Sequence, residues 1–166
     1  LLRVSFALNV TLGEQEVGMA SDWIQKRFQD HQKKTKALSQ RRIWDQKAVD
    51  SVGAKFSELE DRIKLDVSDY NRLFGSLDAE CKVQVGRSAS SLTIERESTG
   101  QTVAVGKHES ILKVLRYSGS ITNHSPEETI EIIADDNGNI LYRHKGKDHS
   151  DASTVSEIII GPLLCG

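Results

Sequence analysis

A chain of 166 residues, 37% of them hydrophobic, is long enough for one ordinary core, and no run in it approaches the roughly 18 to 20 apolar residues that a membrane span requires. Two cysteines, Cys81 and Cys165, are too few and too far apart for the disulfide framework of a secreted mini-domain. The net charge of -2 conceals a polarity: Ala20 to Lys47 carry eight Lys or Arg against three Asp, whereas Ala48 to Gly166 carry 13 against 19 acidic residues.

The chain opens on Leu1, and Met19 is a plausible natural start. From Leu2 to Leu12 apolar and small or polar residues alternate strictly, the period of a half-buried strand, so residues 1–20 read as an extension that is either an edge strand or non-native. Arg3, Ser5 and Asn9 break this stretch too often for the apolar heart of a secretory signal, and the expectation is a soluble, cytoplasmic protein. On that expectation the glycosylation-like tripeptides at Asn9 and Asn123 carry no meaning.

Ser21 can accept a hydrogen bond from a first-turn N–H and so reads as a helix N-cap. Trp23, Ile24 and Phe28 then form a short apolar stripe, and the polar stretch Gln29 to Lys36 must be solvated, so the helix projects or hinges there. Residues 21–47 form a basic helical arm. Its charged residues Lys26, Arg27, Lys33, Lys34, Lys36, Arg41, Arg42 and Lys47 are interleaved with Trp23, Phe28 and Trp44. Such cations can neutralise nucleic-acid phosphates or rest on an anionic membrane surface. The pI near 6.2 falls short of a typical nucleic-acid domain, and a solvated face with Arg41 or Arg42 paired to the acidic body is the plainer expectation.

The strongest periodicity follows: Val49, Val52, Phe56, Leu59, Ile63, Tyr70 and Leu73 recur at steps of three and four, failing once at Asp66, where Val67 substitutes. These side chains share one face of an amphipathic helix that ends near Phe74, with Gly75 available for a left-handed C-terminus. The stripe packs on the domain's own sheet or, through Val49, Val52, Phe56, Leu59 and Ile63, on a second copy in a homodimer.

Beyond Gly75, β-branched residues and turn punctuation place strands near Ala79 to Val85, Ser90 to Glu97, Gln101 to Val105, Ser110 to Thr122, Glu128 to Ala134 and Asn139 to Lys145. Ser98-Thr99-Gly100 and Asp136-Asn137-Gly138 close hairpins, so neighbouring strands run antiparallel. Thr154 and Glu157 make a capping-box pattern for a C-terminal helix in which Val155, Ile158, Ile159 and Leu163 share a face, although Pro162 should break it unless it lies near the end. The fold expected is α+β: a long N-terminal amphipathic helix, one piece or broken into two, packed on an antiparallel meander of about five to six strands, with a short C-terminal helix. Residues 48–166 form its single domain.

No motif argues for catalysis. Gly100 through Lys107 has five intervening residues where a phosphate-binding loop has four, and His108 stands where Ser or Thr should follow the lysine. The turn from Asp135 to Asn139 lacks the spaced ligands of a calcium loop. His144, Asp148 and His149 form the one local metal-like cluster, but Lys145 and Lys147 crowd it and it reads as solvated loop. No Gly-x-Ser-x-Gly elbow surrounds Ser88, Ser118 or Ser120, and neither cysteine has a histidine nearby in sequence. No cofactor, metal or catalytic residue is therefore assigned. A binding or assembly module stands first, a homodimer second, and a ligand-binding protein or enzyme third. The third needs a cavity between helix and sheet in which Arg116, Tyr117, Tyr142 or His144 converge.

Overall fold

The computed structural model describes residues 22–75 and 81–164, with the backbone alone for 120–124. The extension 1–20, the Ser21 cap and the start of the first expected strand at Ala79 lie outside the described residues. The order is α1 (Asp22–Leu73), β1 (Val83–Arg87), β2 (Ser91–Arg96), β3 (Gln101–His108), β4 (Ile111–Ser118), β5 (Ser120–His124), β6 (Glu128–Ala134), β7 (Ile140–His144), β8 (Lys147–His149) and α2 (Ala152–Leu164). This is the α+β arrangement expected, with α1 unbroken. The chain divides into two compact units, 1–38 and 39–166.

In residues 39–166 the eight strands form one antiparallel sheet in the order β1-β2-β3-β4-β6-β7-β8, with β5 pairing β4 alone. Alternation decides which side is dry. Leu92 and Ile94, Val103 and Val105, Leu112 and Val114, Ile130 and Ile132, and Tyr142 are buried, and the register sets them side by side on one face. Val52, Phe56, Leu59, Ile63 and Val67 of α1 and Val155, Ile159, Ile160 and Leu163 of α2 complete that core. Val67, not Asp66, fills the gap in the helical period; Asp66 instead accepts a 2.6 Å hydrogen bond from the buried hydroxyl of Ser156, tying α1 to α2.

Polar contacts fix how α1 crosses the sheet. At one end Arg41 donates to the carbonyl of Ala134 (3.3 Å) and Lys47 to that of Gly138 (2.8 Å), while Trp44 packs on Gly138. Midway, the Tyr142 hydroxyl donates to the main-chain oxygen of Lys55 at 2.8 Å, with the Lys55 ammonium 4.8 Å from the centre of the Tyr142 ring. Burial, reinforced by Glu58 and Asp151, pushes that hydroxyl above the usual tyrosine range and keeps it a donor. Further along, the buried Glu60 meets Lys64 (2.6 Å) and Arg87 of β1 (3.3 Å). At the far end the Asn71 amide accepts from the N–H of Val83 and donates to its carbonyl, at 3.0 and 2.8 Å, imitating a strand at the edge of β1.

Several expectations need correction. Gly75 is not left-handed; an added Cβ would meet the Asn71 carbonyl oxygen at 2.7 Å, so crowding rather than a positive angle favours glycine there. The long strand from Ser110 to Thr122 is two, because Gly119 (φ 77°) turns β4 back into β5. The expected loop at Lys145 to His149 is a hairpin, with Lys145 (φ 49°) and Gly146 (φ 78°) closing β7 onto β8 as two positive angles do in a tight turn. Helix α2 begins earlier than the capping box implied, because the Asp151 carboxylate accepts from the Thr154 N–H at 2.8 Å and acts as the N-cap.

Gly138 combines a φ of 78° with a Cβ position only 2.6 Å from the Trp44 indole nitrogen. Gly138→Ala is expected to lose about 1 to 3 kcal/mol of stability in urea unfolding, through backbone strain and displacement of Trp44. Gly146→Ala, which has a positive angle but open space, is the control that isolates the strain alone.

Candidate functional site

Two regions could carry function: a polar cluster where β4, β6 and β7 meet α2, and the basic segment of α1. The first is built around Arg116. Pro162 lies inside α2 and has no N–H to donate to the carbonyl four residues back, that of Ile158. Arg116 donates to that oxygen at 3.2 Å and to the Ile159 carbonyl at 2.6 Å. A guanidinium from the sheet thus fills the vacancy left by the proline, which lets the helix continue to Leu164 without a buried orphan acceptor.

The same guanidinium lies 3.7 Å from Glu128, which also meets the His144 ring at 3.3 Å and the Lys145 ammonium at 3.4 Å. Burial opposes ionisation of Glu128, but Arg116 foremost, then Lys145 and His144, outweigh it and hold the carboxyl below its usual range. A cleft of about 400 Å³, lined in part by Gln101, Thr102, Arg116, Tyr117, Ser118 and Pro162, opens on one side of the cluster. A second of about 460 Å³ on the other side is lined by Glu127, Glu128, His144 and Lys145 among others.

Arg116 and Tyr117 therefore do border a cleft, and His144 borders another. Tyr142 does not: it is fully buried and its hydroxyl is spent on Lys55. Arg116 and Glu128 are likewise committed, to α2 and to each other. Asp148 binds Arg143 through both oxygens, at 2.6 and 2.9 Å, so neither is turned to a metal beside His144. Among the described residues no group of three or more His, Cys, Asp or Glu is placed to hold a metal ion.

The basic residues separate into two sets. Lys26, Arg27, Lys33, Lys34 and Lys36 are exposed on α1 and, among the described residues, enter no ion pair; Arg27 stands 5.8 Å over the Trp23 ring. Trp23 and Phe28 are each 62% exposed and Leu38 66%. Arg42 is exposed as well, without an ion pair among the described residues. Arg41 is different: it pairs with Asp45 at 3.0 Å and approaches Asp136 at 3.9 Å, beside its bond to Ala134, so it serves the fold. Of the five residues considered for a subunit interface, Val52, Phe56, Leu59 and Ile63 are withdrawn into the chain's own core, and Val49 is exposed.

No protein-family model, curated protein or solved structure matches this chain.

Two outcomes are expected from the cluster. Arg116→Met should cost about 1 to 3 kcal/mol in urea unfolding by orphaning the Ile158 oxygen, and much less in a Pro162→Ala background, where the restored N–H reaches that oxygen. A double-mutant cycle measures the coupling. Because the Glu128 pKa is lowered on folding, its contribution is complete above the unfolded value of 4.5 and fades as the pH falls through the lower folded value. Glu128→Gln is therefore expected to be less stable near neutrality and to lose less stability than the parent on acidification, read from denaturation midpoints across that range.

Proposed function

We propose that the protein is a non-enzymatic binding or assembly module of the cytoplasm, in which residues 22–38 of α1 engage an anionic surface or partner and the sheet with its covering helices is the scaffold. The observation that carries this reading is the contrast between cations. Arg41, Lys47, Arg87, Arg116 and Arg143 are consumed by carbonyls or carboxylates within residues 39–166. Lys26, Arg27, Lys33, Lys34 and Lys36 enter no ion pair among the described residues, and beside them stand exposed Trp23, Ile24 and Phe28. Unneutralised cations on a helix attract anions, and exposed aromatics add contact area that is unfavourable in water and favourable against bases, apolar chains or a partner's surface.

The homodimer through the stripe from Val49 to Leu73 is not carried forward, since its central residues already cover the sheet. The clefts beside Arg116 support a ligand-binding reading less well, because the charged groups lining them satisfy one another.

A chain of net charge -2 has no general reason to bind a polyanion, so retention on immobilised heparin isolates the local cluster. The full chain is expected to be retained at low salt and released as salt rises. Replacing Lys26, Arg27, Lys33, Lys34 and Lys36 by Gln should abolish retention while leaving the unfolding midpoint of the body unchanged. Equal elution of parent and variant would remove these residues from the account.

A further inference from the structure

The segment 22–38 has two faces. At roughly 100° per residue, Ile24, Phe28 and Leu38 fall within an arc of about 80°, with His31 and Thr35 between them. Lys26, Arg27, Lys33, Lys34 and Lys36 occupy an arc of about 180° on the opposite side, which they share with Asp22 and Asp30, for a net charge of +3. Trp23 lies about 60° beyond Leu38, on the flank shared with Arg27 and Lys34, and Lys36 borders the other flank beyond Phe28. Every residue of the segment is exposed, and the Arg27 guanidinium is stacked over the Trp23 ring.

This arrangement discriminates between anionic partners. Nucleic acid would use the basic arc and leave Ile24, Phe28 and Leu38 in water. A bilayer surface uses both: the apolar arc enters the boundary between headgroups and acyl chains, and the flanking Arg27, Lys34 and Lys36 reach lipid phosphates with their stems against the apolar layer. A tryptophan at the flank is placed at headgroup depth, the level that indoles favour. No helix among the described residues is long and apolar enough to cross a membrane, so the contact is in the plane of the surface.

We propose that residues 22–38 bind an anionic lipid bilayer as an in-plane amphipathic helix, with Ile24, Phe28 and Leu38 inserted and the flanking cations on the headgroups. This rests on the reading of the segment as an anion-binding arm and names the surface that arm meets. The seventeen residues extend about 25 Å, enough for four to five turns laid along the interface.

Cosedimentation of the full chain with vesicles tests it, using phosphatidylcholine alone and phosphatidylcholine mixed with phosphatidylserine, with single-stranded RNA as the competing probe. Binding is expected to the mixed vesicles and to be at least about tenfold weaker to the neutral ones, given roughly fivefold per cation near an anionic surface. Phe28→Ser with Ile24→Ser should abolish vesicle binding yet leave retention on heparin intact, and Lys33→Gln with Lys34→Gln and Lys36→Gln should weaken both. In a Trp44→Phe variant, in which Trp23 is the one remaining indole, emission should shift to the blue on vesicles. RNA binding without vesicle binding, indifferent to the two serine substitutions, would overturn the lipid assignment and leave the anion-binding arm standing. Binding to neither vesicles, RNA nor heparin would overturn both.

Discussion

An antiparallel sheet with one apolar face is stable in water only if that face is covered, and in this protein the cover is assembled from two helices far apart in the chain. Val52 to Val67 of α1 and Val155 to Leu163 of α2 close over Leu92, Ile94, Val105, Leu112, Ile130 and Tyr142. Apolar burial is non-directional and would tolerate helices slid or rotated against the sheet. What sets their placement is a series of polar contacts whose partners are left buried and unsatisfied if the helix shifts: Tyr142 on the Lys55 carbonyl, Asn71 on the edge of Val83, and Ser156 on Asp66.

Arg116 belongs to the same logic and also explains an apparent violation. A proline two residues before the end of a helix should terminate it, yet α2 continues because the sheet supplies the donor that Pro162 lacks. The cleft beside this contact looks like a binding site by volume and lining, but its arginine answers a structural demand.

The elements visible in the sequence were those whose signal is local. Alternation marked the strands, and the three-four spacing from Val49 to Leu73 marked the face that the sheet covers. Misreadings arose where the deciding partner is distant or where backbone conformation outweighs composition. Lys145 and Gly146 look like a solvated loop, but two positive angles make them a tight turn and turn Lys147 to His149 into a strand. Asp66 looked like a defect in the stripe until Ser156, ninety residues later, is brought to it. Arg41 could be placed with the basic arm or with the acidic body; only the position of the hairpin at Asp135 to Asn139 decides, and it claims Arg41, Trp44 and Lys47 together. The candidate site was legible in part: the cations from Lys26 to Lys36 were visible as a cluster, whereas the absence of ion pairs to them among the described residues needed coordinates.

Helix α1 thus carries two kinds of residue, a stripe from Val52 to Val67 that the core of residues 39–166 consumes and a segment 22–38 whose residues are exposed. The proposed function resides in that exposed part, whose five cations enter no ion pair among the described residues. Hydrogen exchange along α1 in the isolated protein addresses this directly. Amides from Val52 to Val67 should exchange only with global unfolding, while those from Trp23 to Leu38 exchange orders of magnitude faster. Uniform slow exchange across both stretches would mean that the N-terminal part is covered after all, and would contradict the account.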